Sequence, residues 1–219
     1  MERWASFDCY GTLVDWREGI RVELARLFGD ERADELLSRY HAIEPAIQRD
    51  GALTYREVLT LTLARVADEA SLTLPAGEEY ALPQSLPSWP VFPEALEALL
   101  EAHDRSLRLA ILSNTDRDLI EASMVAIGVP FELAVVGSEI GSYKPARRHW
   151  DVFAELTGAT RDRHVHVAQS LFHDIATTSQ LGVPSIWINR LGEQPRPMPT
   201  RELPDLTRLP DTLDELVSQ

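Results

Sequence analysis

Ala5-Ser6-Phe7-Asp8-Cys9-Tyr10-Gly11-Thr12-Leu13-Val14-Asp15-Trp16 carries a short apolar run into an aspartate, with a glycine and a threonine within the next four residues. A buried strand delivers a carboxylate to its own end in this way and then turns sharply. The strand is predicted over residues 3–7, central in its sheet. Such a carboxylate can act as a nucleophile, a metal ligand or a structural cap, and the rest of the chain has to select among these roles.

Working outward, helical periodicity begins near Glu18, where Ile20, Leu24, Leu27 and Phe28 recur at three- and four-residue spacing. Gly29-Asp30 breaks it. A second helix is predicted from about Glu31 to Ile47, a break follows at Gly51, and Thr54 caps a third helix from Tyr55 to Glu69. Three helices after one strand read as an insertion. Prolines at 75, 83, 87, 90 and 93 mark a linker back to the main domain.

A strict alternation then begins, opened by a helix from Pro93. Strands are predicted at Leu107–Leu112, Leu133–Val136, His164–Ala168 and Ser185–Asn189. Helices at Arg117–Ile127, His149–Thr157 and Ile175–Leu181 lie between them. This pattern predicts an α/β fold, a Rossmann-like parallel sheet flanked by helices on both faces, with a helical cap inserted after the first strand. The boundaries are 1–14 and 89–219 for the core domain and 15–88 for the cap with its proline-rich return. Residues 195–210 read as coil, with a short helix from Thr212.

The chain has 219 residues, 44% of them hydrophobic, and no apolar run long enough to span a bilayer. A basic start followed by an apolar core is missing from the first twenty residues or so. With Cys9 the only cysteine, a soluble cytoplasmic protein is expected. Acidic residues outnumber basic ones by 35 to 21, for a net charge of −14, which disfavours nucleic acid and anionic membrane as partners. A small anionic substrate would need local positive charge to overcome that field.

Ligands bind parallel sheets at the carboxyl ends of the strands. There stand Asp8, Tyr10 and Thr12; then Ser113, Asn114, Thr115 and Asp116; then Gly141-Ser142-Tyr143-Lys144-Pro145; then Gln169, Ser170, His173 and Asp174. Singly, each has a structural reading as a cap or loop residue. Together they set two carboxylates, Asp8 and Asp174, against Lys144, a fixed cation that can hold Asp8 ionised. A dry, charged carboxylate is a competent nucleophile. Ser113-Asn114, at the start of the next helix, favours an anion.

These residues carry a resemblance to the haloacid dehalogenase superfamily over nearly the whole chain, through FDCYGT, LSN, YKP and AQSLFHD in that order. The phosphatases that dominate the superfamily have Asp-x-Asp in the first motif, the second Asp serving as general acid. Here that position is Tyr10, a poor replacement at a reference pKa of about 10. Gln169 likewise stands at the earlier of two acidic positions that hold magnesium in phosphatases. Halide leaves without a proton, so the sequence is most similar to the 2-haloacid dehalogenase branch.

The resemblance implies that Asp8 attacks the halogen-bearing carbon of a small 2-haloalkanoic acid and forms an ester. Water then hydrolyses the ester, with Asp174 orienting or activating the water and Lys144 stabilising charge. It further implies that Thr12, Ser113 and Asn114 position the nucleophile and the substrate carboxylate, and that Arg39 receives the halide. Tyr10 and Trp150 join the substrate site, Trp150 standing where these dehalogenases carry a tyrosine. No cofactor is implied; a phosphatase reading would place Mg2+ at Asp8 and Asp174, and a non-catalytic protein on the same scaffold is a third reading. A homodimer is compatible with the resemblance.

Other signals are read as structural. His164 and His166 alternate on one strand without further metal ligands nearby, and are taken as a satisfied or solvent-facing pair. His173, beside Asp174, can assist the hydrolytic water or pack against its loop, the second reading being preferred, and Cys9 is taken as core. Trp4, Trp16, Trp89 and Trp187 are read as packing residues, Trp16 at the cap interface.

Overall fold

The computed structural model describes residues 2–48 and 53–217, so the break expected at Gly51 lies outside the described residues. Strand β1 (Arg3–Phe7) is buried along its length. Around it forms a parallel sheet in the order β3-β2-β1-β4-β5-β6. The other strands are β2 (Leu107–Ser113), β3 (Leu133–Val136), β4 (His164–Ala168), β5 (Ser185–Ile188) and β6 (Arg201–Leu203). Ala5 pairs with Leu109 on one side and Val165 on the other, which places β1 between β2 and β4. Strand order reverses there, and a parallel sheet opens its ligand crevice at such a switch point.

Helices α1 (Trp16–Phe28), α2 (Asp30–Gln48) and α3 (Tyr55–Glu69) follow β1 with no strand between them. The Thr54 cap is a reciprocal box: Glu57 N–H donates to Thr54 Oγ1 at 3.2 Å and Thr54 N–H to Glu57 Oε2 at 2.8 Å. Leu36 and Tyr40 of α2 pack with Leu59 and Leu63 of α3 in the main apolar cluster. Each such fully buried side chain contributes about 1.5–3 kcal/mol relative to exposure. α1 lies so close to Trp89 that a Cβ on Gly19 would come within 2.3 Å of the indole Cγ. The proline-rich return contains a short helix, α4 (Ala81–Ser85).

Asp116 ties the helical block to the sheet. Its carboxylate accepts from Tyr55 N–H at 3.2 Å and Arg56 N–H at 2.9 Å, the first turn of α3, where helix dipole and free donors favour an anion.

The remaining helices are α5 (Ala95–Asp104), α6 (Arg117–Ile127), α7 (Gly137–Ile140), α8 (Arg148–Thr157), α9 (Ala176–Leu181) and α10 (Leu209–Leu216). The tail differs from its sequence reading. Within the stretch expected to be coil, β6 pairs with β5, and α10 begins at Leu209 rather than Thr212. Only Leu203 of the three β6 residues is buried, so the strand lacks the apolar run that marks its neighbours. Pro210 sits in the first turn of α10, where the missing N–H costs nothing. Among the described residues no helix is long and apolar enough to cross a membrane.

Candidate active site

Asp8 follows β1, its backbone N–H fixed by Val167 O at 3.0 Å. Gly11, at φ +95°, lets the chain double back so that Thr12 returns to the carboxylate. Thr12 Oγ1 donates to Asp8 Oδ2 at 2.9 Å and accepts from Gln169 N–H at 2.9 Å, which spends its proton on the Asp8 carboxylate and locks its rotamer. Lys144 Nζ donates to Asp8 Oδ1 at 2.9 Å, Asp174 Oδ1 at 2.7 Å and Leu112 O at 2.8 Å. All three ammonium protons are therefore used. The convergence expected from the strand ends is present.

Electrostatics follow from this packing. Burial opposes the charge on Asp174, but Lys144 and a hydrogen bond from His166 outweigh it and hold the carboxyl well below its ordinary range. Burial likewise opposes the charge on Lys144, and the two carboxylates outweigh it, raising its pKa. Lys144 and Asp174 therefore stay ionised as a pair across the physiological range.

A cavity of about 280 Å³ opens above these groups, with Ser113, Asn114, Gln169 and Ser170 among its lining. The Asn114 side chain, which lines the cavity, is engaged by the lysine loop. Its Nδ2 donates to Lys144 O at 2.9 Å and its Oδ1 accepts from Lys144 N–H at 2.6 Å, clamping the lysine loop. The Ser113 carbonyl is tied to His149 Nε2 at 3.1 Å. Helix α6 starts at Arg117, three residues beyond Asn114, and its N-cap carboxylate is turned to α3, so its first turn is not a direct anion site for the crevice.

Tyr10 lines the cavity, stacked on Tyr55 at 5.6 Å between ring centroids. Its hydroxyl is 3.1 Å from Ser123 Oγ on α6, and burial pushes the phenol pKa up. It is bonded to Ser123 rather than to Asp8, and its raised pKa makes it a poor proton donor to a leaving group.

Two residues assigned to the substrate site lie elsewhere. Arg39 sits on the outer face of α2, paired with Glu35 at 2.8 Å. The same helix presents His41, Glu44, Pro45 and Gln48 to the cavity instead. Trp150 is buried beneath the crevice rather than lining it, packed against His166 at 5.2 Å and clustered with Trp4 and Phe153. A six-residue offset from the motif lysine fixes neither helix phase nor depth below the crevice.

Sequence reasoning missed the wall from α2, although its i, i+3, i+4 spacing was readable. There burial raises the Glu44 carboxyl to about 7, and burial together with Arg17 lowers His41 to about 4. Trp16 does line the cavity, and Cys9 is buried in the main core, as read. His173 also lines it, with Nδ1 at 3.1 Å from Ser170 Oγ and its pKa lowered by burial. The histidine pair of β4 is buried and satisfied, but it reaches the site: His166 Nε2 lies 2.8 Å from Asp174 Oδ1.

The parallel sheet sets Asp8, a buried Lys144 and Asp174 together at its switch point. The haloacid dehalogenase-like hydrolase family model matches residues 3–182, and the chain belongs to that family. It is 26% identical to haloacetate dehalogenase H-2 of Moraxella sp. (strain B) over 192 residues, 85% of each chain. It is 30% identical to a phosphoserine phosphatase of Thermus thermophilus over 122 residues, 54% of this chain and about half of that one. In three dimensions it is similar to an L-2-haloacid dehalogenase from Xanthobacter autotrophicus with chloropropionic acid covalently bound. That match has TM-score 0.84 at 18% identity and covers 97% of this chain and 98% of the other.

Proposed function

We propose that the protein hydrolyses the carbon–halogen bond of a small 2-haloalkanoic acid through an ester on Asp8, with the block 15–88 as the cap that closes the crevice. The observation that carries this reading is Tyr10. Where a phosphatase needs a general acid, this chain has a phenol whose hydroxyl is spent on Ser123.

Asp8 is held by Thr12 and Lys144, each on one oxygen, in a geometry that leaves its outer lone pairs for in-line attack. The Asp8 carboxylate oxygen bonds to the substrate C2 as the carbon–halogen bond breaks, and halide departs with the electron pair. Water then adds to Cγ of Asp8, passing one proton to Asp174. Collapse breaks the Cγ–O bond to substrate, and the departing alkoxide takes that proton back. The acid left on Asp8 ionises, so one proton, one halide and one 2-hydroxy acid are released per water consumed. No step needs a cofactor.

A magnesium-dependent phosphomonoesterase is the second reading, motivated by the phosphoserine phosphatase match. The donor set fits it less well. Lys144 occupies one oxygen of both Asp8 and Asp174, Gln169 supplies an amide where a third carboxylate would serve, and hard dications prefer more charged oxygens. Among the described residues no group of three or more His, Cys, Asp or Glu is placed to hold a metal.

Halide release from 2-chloro- and 2-bromopropionate tests the proposal, with Asp8→Asn as control. Release that depends on Asp8 supports it. No release from either acid, alongside magnesium-stimulated turnover of an aryl phosphate, replaces it with the second reading.

A further inference from the structure

The scheme above uses Asp174 but gives no role to the histidines of β4. Both are enclosed, His164 at 4% exposure and His166 at 0%. Ser6, opposite His166 in the β1–β4 register, joins them, its Oγ lying 2.6 Å from His164 Nε2 and 2.8 Å from His166 Nδ1. His166 Nε2 in turn lies 2.8 Å from Asp174 Oδ1. The chain His164–Ser6–His166–Asp174 thus runs through the sheet into the crevice and continues through Lys144 to Asp8.

With neutral imidazoles, one arrangement of protons gives each of its three contacts a donor and an acceptor. Asp174 is ionised and only accepts, so His166 donates from Nε2 and accepts at Nδ1 from the Ser6 hydroxyl. The Ser6 oxygen then accepts from His164 Nε2–H. His164 fits this assignment, since burial and the neighbouring His166 lower its pKa to about 3. The ring of His166 is wedged edge-on against Trp150 at 5.2 Å, which fixes its plane.

The consequence falls on Asp174. Oδ1 receives both His166 Nε2–H and Lys144 Nζ, whereas Oδ2 is buried and makes no hydrogen bond within the protein. Without His166, Lys144 alone would hold the carboxylate, which could rotate to share its oxygens. We infer that His166, set by Ser6 and His164, is a positioning residue for the hydrolytic half-reaction: it commits Asp174 Oδ1 to the protein and so reserves Oδ2 for the water that attacks the Asp8 ester. This rests on the dehalogenase reading. It assigns His166 no part in forming the ester, because Asp8 itself is oriented by Thr12 and Lys144.

Quench-flow with excess enzyme and 2-bromopropionate separates the two halves, ester formation being read as the mass-shifted Asp8 peptide and hydrolysis as its decay. In His166→Leu, ester formation should stay within about twofold of wild type while hydrolysis slows about 10- to 100-fold, so that the ester accumulates. His166→Gln, whose amide can donate to Asp174 and accept from Ser6, should recover most of the hydrolytic rate. Ser6→Ala gives a smaller slowing in the same half and serves if the leucine variant fails to fold. Equal loss in both halves, or unchanged hydrolysis in the folded variants, overturns the positioning role. A wild-type enzyme that forms no ester removes the dehalogenase reading and this role with it.

Discussion

Replacing Lys144 with methionine keeps the length of the side chain and removes the charge between two buried carboxylates. The Lys144 side chain is 1% exposed, that of Asp174 1% and that of Asp8 11%, so water cannot take over the lost contacts. Three hydrogen bonds vanish, to Asp8, Asp174 and Leu112 O. Removing one member of a buried ion pair costs about 3–5 kcal/mol, because the partner charge is left uncompensated. For a chain of this size that corresponds to roughly 6–20 °C in Tm.

The pH dependence gives the sharper test. In the wild type, the folded pKa of Asp174 is depressed, so its contribution is present above its unfolded value of about 4 and is lost as pH falls through the folded value. In Lys144→Met, the largest remaining influence on Asp174 is burial, which raises its pKa. The variant is then most stable in acid and loses stability as pH rises through that value. The gap between the proteins should widen steadily from pH 4.5 to 7.5 in denaturant titrations followed by tryptophan fluorescence. A gap below about 1 kcal/mol at pH 7.5, or one constant with pH, would refute the reasoning.

Glu44→Gln tests the wall from α2. Burial raises Glu44 from an ordinary 4.5 to about 7, so its stabilising contribution is complete below pH 4.5 and lost as pH rises to 7. The wild type should lose up to about 3 kcal/mol more than the variant over that window, and parallel stability curves would contradict it. Gly11→Ala places a Cβ at φ +95°, 3.1 Å from Trp16 Nε1 and 3.3 Å from Gln169 Oε1. A loss of about 1–2 kcal/mol is expected, with a changed Trp16 emission; unchanged thermal stability would show that the turn adapts.

The sheet was legible because each central strand is a short apolar run bounded by a helix, and the parallel-sheet rule then places Asp8, Asn114, Lys144 and Asp174 in one crevice. What was not legible depends on contacts without a local signal. Arg39 shows this for a helix, since its Glu35 partner lies on the same outer face and turns it from the cavity that His41 and Glu44 reach. The alternation of His164 and His166 was visible, but the serine that joins them is 158 and 160 residues away on another strand. Strand β6 escaped because edge pairing needs only three residues, two of them exposed.

The central claim is that Asp8 itself becomes esterified, and its most direct test is a single turnover of 2-chloropropionate by excess enzyme in oxygen-18 water. If water attacks the ester carbonyl, the label enters the Asp8 carboxylate and the first hydroxy acid formed carries none. Label in the product with Asp8 unlabelled would mean that water attacks the substrate carbon directly, and would contradict the account.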